Sequence, residues 1–250
     1  MDNRLRFFGR RKGKSLGVSR ERLVRELLPR VQLVLPARGR VNVKRLFPFE
    51  TKEVWLEIGF GGGEHIAELA KLYPEIGFVG AEPFLNGVAS LLAHLNGSHR
   101  FPKENADLEK ERVDNVRIWP DDVRLVFPKL PNGIFDRVFV LYPDPWPKAR
   151  HAERRFISQD NLNELYRLLT PTGQLFVATD VTGYAEWTQE QIKLFKKFHQ
   201  VNKNIHVPPK DWVPTRYEQK GLVAGRRPIY FVFSKKKCLT KGKKVIRLAI

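Results

Sequence analysis

"EVWLEIGFGGGEHIAELAKLY", residues 53–73, reads as strand, turn and helix in one run. "EVWLEI" is short and apolar enough for a buried strand, and "GFGGG" at 59–63 breaks it. "EHIAELAKLY" then places apolar residues at 66, 69, 70 and 73, a helical spacing. The same order recurs downstream. "IGFVGAE" (76–82) predicts a second strand and "FLNGVASLLAHL" (84–95) a second helix. A polar connection over 97–114 leads to "NVRIW" (115–119), a third strand, then Asp121, Asp122 and a short helix through Leu130. "FDRVFVLY" (135–142) is a fourth strand, "DNLNELYRLL" (160–169) a helix closed by "TPTG", and "QLFVATD" (174–180) a fifth strand. A helix over 184–199 follows, and "PIYFVF" (228–233) closes the sheet. Strands alternating with helices require crossover connections, which predicts an α/β fold: an open, mostly parallel sheet covered on both faces.

The totals agree with one such domain. A chain of 250 residues, 42% of them hydrophobic, buries a full core once. Its single cysteine, Cys238, permits no internal disulfide and points to a reducing, cytoplasmic setting. No apolar run reaches the length of a membrane span, and no signal-peptide core follows Met1. The net charge is +18, and it is unevenly spread. Residues 1–45 hold 14 Lys/Arg against 3 acids, and residues 235–250 hold seven Lys/Arg and no acid, so residues 46–234 are formally neutral. The expected organisation is a basic arm at 1–45, a domain at 46–234 and a basic tail at 235–250. Like charge held at both ends repels itself unless a polyanion meets it, which points to nucleic acid. A membrane surface fits less well, since neither arm has an amphipathic face with aromatic anchors.

Ligands of open α/β sheets sit beyond the carboxyl ends of the strands. The first turn, with Gly59, Gly61 and Gly63, suits several nucleotides, or a tight turn with no ligand at all. Glu57 narrows the choice. A carboxylate two residues before the first glycine opposes a pyrophosphate, and no lysine follows the glycines as a P-loop needs. S-adenosylmethionine has no phosphate and carries an ammonium and a sulfonium, so an acid favours it. Glu82 ends the second strand, where a carboxylate accepts hydrogen bonds from ribose hydroxyls. Asp121 stands past the third strand, where an adenine amino group is read. Each acid alone suits a helix cap or surface charge; together at successive strand ends they favour S-adenosylmethionine over a nicotinamide cofactor.

The fourth strand runs into "YPDPWPKARHAERR" (142–155). Pro143, Pro145 and Pro147 restrict the torsions around Asp144 and Trp146, so both are held before any substrate arrives. "LEIGFGGGEH", "DPWPKARHAERR", "ATD" and "TRYEQKG" resemble, in order over residues 50–234, the tRNA (guanine-N7-)-methyltransferase family. The resemblance implies a Rossmann-like class I methyltransferase fold with an antiparallel last strand, and methylation of a guanosine in the tRNA variable loop. It implies that Glu57, Glu82 and Asp121 contact the donor and that Asp144 is both a donor neighbour and the catalytic residue. It implies that Lys148, Asp180, Thr215, Arg216, Tyr217 and Glu218 bind substrate, with Arg150, His151, Arg154 and Arg155 against RNA phosphates. Glu153 departs from the family, which more usually has lysine there.

The six histidines show no metal-ligand spacing, and no Ser-His-Asp signature is present, so no metal is expected. Two rivals stand beside the main reading: a methyltransferase for protein or a small molecule, and a non-catalytic RNA-binding protein on the same fold. The cationic arms count against the first and the retained acids against the second. The expected working unit is a monomer or weak homodimer with tRNA as partner.

Overall fold

Seven strands form one sheet in the order β3-β2-β1-β4-β5-β7-β6. They are β1 (Val54–Ile58), β2 (Gly77–Ala81), β3 (Val116–Trp119), β4 (Phe135–Leu141), β5 (Leu169–Thr179), β6 (Phe198–Gln200) and β7 (Ile229–Lys235). The computed structural model describes residues 7–96, 114–210 and 212–236; most of the expected polar connection and nearly all of the basic tail lie outside these residues. β1 to β5 pair in parallel, so their carboxyl ends share one edge, and β7 runs antiparallel to β5 and β6.

The helices are α1 (Val18–Glu26), α2 (Leu28–Val31), α3 (Glu64–Leu72), α4 (Leu85–Leu95), α5 (Gln159–Leu168), α6 (Thr182–Phe195) and α7 (Arg216–Val223). Strand alternation divides the core in two. Val54, Leu56 and Ile58 join the cluster that holds Leu162 and Leu165 of α5 and Ile192 of α6. Trp55 joins the opposite cluster, with Ile66 and Leu69 of α3, Leu91 and Leu92 of α4 and Phe139 of β4. Residues within the expected basic arm belong to that second face. Leu23, Leu27, Leu28 and Val31 fall at helical spacing and are buried there, with α1 packed against α4.

Four expectations need correction. The helix expected over 184–199 stops at Phe195, where Lys196 turns left-handed (φ 62°), and residues 198–200 form β6. β7, expected to close the sheet, is therefore interior, and β6 is the edge. The short helix after Asp122 is two 3-10 turns, Val123–Leu125 and Phe127–Lys129; Pro128 lacks the N–H that a continuous α-helix would use. "TPTG" does not simply close α5, because β5 already begins at Leu169, which pairs with Phe135 ahead of an irregularity in register.

Candidate active site

Glu57 is the fourth residue of β1, and alternation turns it toward the α3 and α4 face with Trp55. It is only 4% exposed, and His65 of α3 (2% exposed) lies with Nδ1 2.9 Å from its Oε2. The turn between them runs through left-handed glycines, Gly59 (φ 71°), Gly61 (φ 56°) and Gly63 (φ 78°). At Gly63 an added Cβ would come within 2.6 Å of Leu91 Cβ, so loop and α4 approach as closely as glycine allows. At Gly59 and Gly61 an added Cβ meets nothing within 4 Å, so the loop has open space above it.

Glu82, one residue past β2, is buried and receives that loop. Gly61 N–H donates to Oε2 at 2.8 Å and Phe84 N–H to Oε1 at 2.9 Å. The approach of α4 depends on Gly87, where a Cβ would stand 2.3 Å from the Gly61 carbonyl. Burial pushes the Glu82 carboxyl above the usual carboxylate range; the two backbone donors oppose this, and the charges of Asp144 and Glu57 add to it. Glu82 thus feels the acids of the two strands on either side of the point where strand order reverses, between β1 and β4. Past β3 the two aspartates differ. Asp122 is buried, caps the following turn through Arg124 N–H and pairs with the Arg124 side chain. Asp121 lies at the rim and pairs with Arg11. Among the described residues, no cluster of His, Cys, Asp and Glu is arranged to hold a metal ion.

The turn after β4 carries two left-handed residues, Tyr142 (φ 50°) and Trp146 (φ 40°), each just ahead of a proline. Asp144 between them is exposed. The basic run that follows forms a 3-10 helix, Ala149–Arg154, and its members separate. Lys148 and Arg150 are exposed and make no ion pair among the described residues. His151 meets Trp146 edge-on at 5.7 Å; partial burial, then the charges of Arg154 and Arg150, hold its imidazole below the usual histidine range. Arg154 lies over the rings of Phe8 and Trp146 at 4.5 and 5.0 Å, while Glu153 points a carboxylate at it from 3.7 Å. Arg155, expected against RNA phosphates, is engaged within the protein. Its guanidinium donates to the carbonyls of Pro145 and Trp146 and stacks over Trp187, so it laces the turn together.

Asp180, after β5, reaches the same edge and is held by Arg226, while Gly221 leaves room for its carboxylate. Thr215 caps α7 by accepting from Glu218 N–H at 3.0 Å. Arg216 and Tyr217 are exposed, but Glu218 is 4% exposed, and both its oxygens are taken. Trp212 Nε1–H donates to Oε2 at 2.9 Å and Tyr230 O–H to Oε1 at 2.6 Å. The resemblance placed Glu218 on substrate; here it ties α7 to β7. His65, Trp212, Tyr230, Arg226 and Arg11 were not singled out in the sequence. Each acts through a partner in another element, a relation that residue spacing does not display.

A family model described as "Putative methyltransferase" matches residues 51–231. The tRNA (guanine-N(7)-)-methyltransferase of Paramagnetospirillum magneticum is 44% identical over 236 residues, covering 93% of this chain and 94% of that one. The enzyme of the same name from Rhodospirillum rubrum is 44% identical over 237 residues, covering 92% and 88%. The crystal structure of the 16S rRNA methyltransferase KamB superposes with a TM-score of 0.51 at 14% identity, covering 74% of this chain and 89% of that one, which is a likeness of fold. The sheet order, the glycine loop under its acids and these alignments agree: the chain belongs to the tRNA (guanine-N(7)-)-methyltransferase family.

Proposed function

We propose that the protein transfers a methyl group from S-adenosylmethionine to N7 of a guanosine in tRNA. The observation that carries this reading is the cluster of Glu57, Glu82 and Asp144 around an open glycine loop, with Lys148 and Arg150, which make no ion pair among the described residues, on the same turn as Asp144. Glu82, whose ionisation burial and then the charges of Asp144 and Glu57 oppose, is relieved by a cationic ligand and aggravated by a pyrophosphate. Glu57 suits the donor's ammonium and Glu82 its ribose hydroxyls. Asp121 stands at the adenine side, once Arg11 shares or yields it.

The donor supplies a methyl carbon on a sulfonium. Guanine N7 has a free lone pair at neutral pH, so its bond to that carbon forms as the carbon–sulfur bond breaks, with no proton to remove. S-adenosylhomocysteine leaves, and the positive charge passes to the purine. The protein's work is alignment, for which effective molarity contributes about 7–11 kcal/mol. Asp144 stabilises the charge that moves: a carboxylate about 4 Å away interacts by roughly 4 kcal/mol at an effective dielectric of 20, less its desolvation. Its role is electrostatic and orienting. Asp144→Asn is therefore expected to lower kcat by about 100-fold or more while donor Kd changes little. Single-turnover kinetics with 7-methylguanosine counted by nucleoside mass spectrometry, beside donor calorimetry, decides it. Equal losses in both, or no 7-methylguanosine from the unaltered protein, would refute the reading.

A further inference from the structure

The donor reading leans on Glu57, and the residue that holds Glu57, the last of "LEIGFGGGEH", has been given no role toward donor or substrate. Alternation along β1 aims this carboxylate into a face otherwise built from Trp55, Phe78, Phe139 and Leu91. A buried carboxylate among such groups needs hydrogen bonds, and among the described residues His65 is the one that supplies a bond. An ionised carboxylate only accepts, so Nδ1 carries the hydrogen. That bond orients the carboxylate.

His65 is itself fixed from three directions. Its ring meets Phe139 edge-on at 5.2 Å and Trp212 at 5.6 Å. Trp212 is anchored in turn through Nε1–H to Glu218. The start of α3 at Gly63, two residues earlier, is set by the close approach to Leu91. The ring therefore inherits the geometry of the glycine loop and passes it to the carboxylate.

We infer that His65 is a positioning residue for the methyl donor: it holds Glu57 in the orientation that receives the donor's ammonium, and it touches neither reactant. This rests on the donor reading proposed above. S-adenosylhomocysteine and 5′-methylthioadenosine separate the two claims, because the second lacks the amino-acid end and its ammonium.

Calorimetry is done on the full chain with His65→Phe, which keeps an aromatic ring and removes the donor, and His65→Asn, whose amide nitrogen falls near the place of Nδ1. His65→Phe is expected to weaken S-adenosylhomocysteine about tenfold, the worth of a charge-assisted hydrogen bond, with 5′-methylthioadenosine unchanged. His65→Asn restores most of the loss, and KM for the donor moves while KM for tRNA holds. Equal weakening of both ligands, or none of either, overturns the role. Should His65→Phe not fold, His65→Gln, whose amide nitrogen falls near Nε2 and not Nδ1, takes its place: a loss confined to S-adenosylhomocysteine supports the role, and equal losses of both ligands, or none, overturn it. Failure of the unaltered protein to bind S-adenosylhomocysteine would instead remove the donor reading itself.

Discussion

Arg11 and Asp121, 110 positions apart, form an ion pair with Nη1 2.6 Å from Oδ1. The pair is one of several ties holding residues 11–14 across the start of α4. Leu85 N–H donates to the Arg11 carbonyl, Gly13 N–H to Asn86 Oδ1, and Asn86 Nδ2–H to the Lys14 carbonyl. An exposed ion pair contributes less than about 1 kcal/mol, whereas Asn86 holds both sides of the segment. Asn86→Ala should therefore raise trypsin cleavage around Arg10 to Lys14 severalfold, and Arg11→Ala should raise it little. Mass spectrometry of timed digests checks this; the reverse ranking would show that charge, not Asn86, holds the segment.

Glu218 gives a test of the "TRYE" run. Its two partners would be stranded by Glu218→Ala, at about 1–3 kcal/mol for each buried donor left unpaired. Denaturant unfolding should show a loss of roughly 2–5 kcal/mol for Glu218→Ala and about 1 kcal/mol for Tyr230→Phe. Tyr142 sits beside this pair: its hydroxyl is buried and completes no hydrogen bond among the described residues, although Glu218 and Tyr230 are within electrostatic reach. A Glu218 that served only to hold guanine would leave unfolding unchanged and alter only KM for tRNA.

Much of the fold was legible because its signals are local. The predicted strand at 53–58 differs from Val54–Ile58 by one residue at one end, and that at 76–82 from Gly77–Ala81 by one at each end, since a glycine break and a change of period mark such boundaries. The three-residue β6 was not legible. It is too short to show alternation, and the apolar pattern of α6 runs on through Phe198 past the left-handed Lys196. Glu57 and Glu82 were readable as acids at strand ends. The bond from His65 to Glu57 was not, because it needs strand alternation, three left-handed glycines and the register of α3 to coincide. The inward bonds of Glu218 were hidden for a related reason: a T-x-x-E run is also a helix cap, and nothing in it shows that the side chain turns to residues 212 and 230.

The basic run should divide in the same way under titration with salt. Arg150 makes no ion pair among the described residues, while Arg155 is bound to the turn's own carbonyls. Arg150→Ala should reduce the slope of log Kd against log salt for tRNA by about 0.7–0.9, the share of one phosphate contact. Arg155→Ala should leave the slope nearly unchanged and lower kcat, because Asp144 and Trp146 lose their brace. Filter binding across a salt series and steady-state kinetics separate them; equal slope changes would place Arg155 on RNA.

Glu82 predicts how donor affinity follows pH. Burial raises its carboxyl above the usual range, and Asp144 and Glu57 add to the rise against the N–H groups of Phe84 and Gly61. A folded-state value above the unfolded one means that the folded protein holds this proton longer. Its stabilising share is thus present in acid and lost as pH rises through the raised value. Ribose hydroxyls that donate to the carboxylate favour its ionised form, so binding releases the proton. Affinity for S-adenosylhomocysteine should therefore climb as pH rises through the free protein's Glu82 titration, by at most about one decade per pH unit, and then level off. Calorimetry at matched pH in buffers of different ionisation enthalpy would register the released proton directly. Glu82→Gln should abolish both the release and the climb, and a climb that survives the substitution would show that Glu82 is not its source.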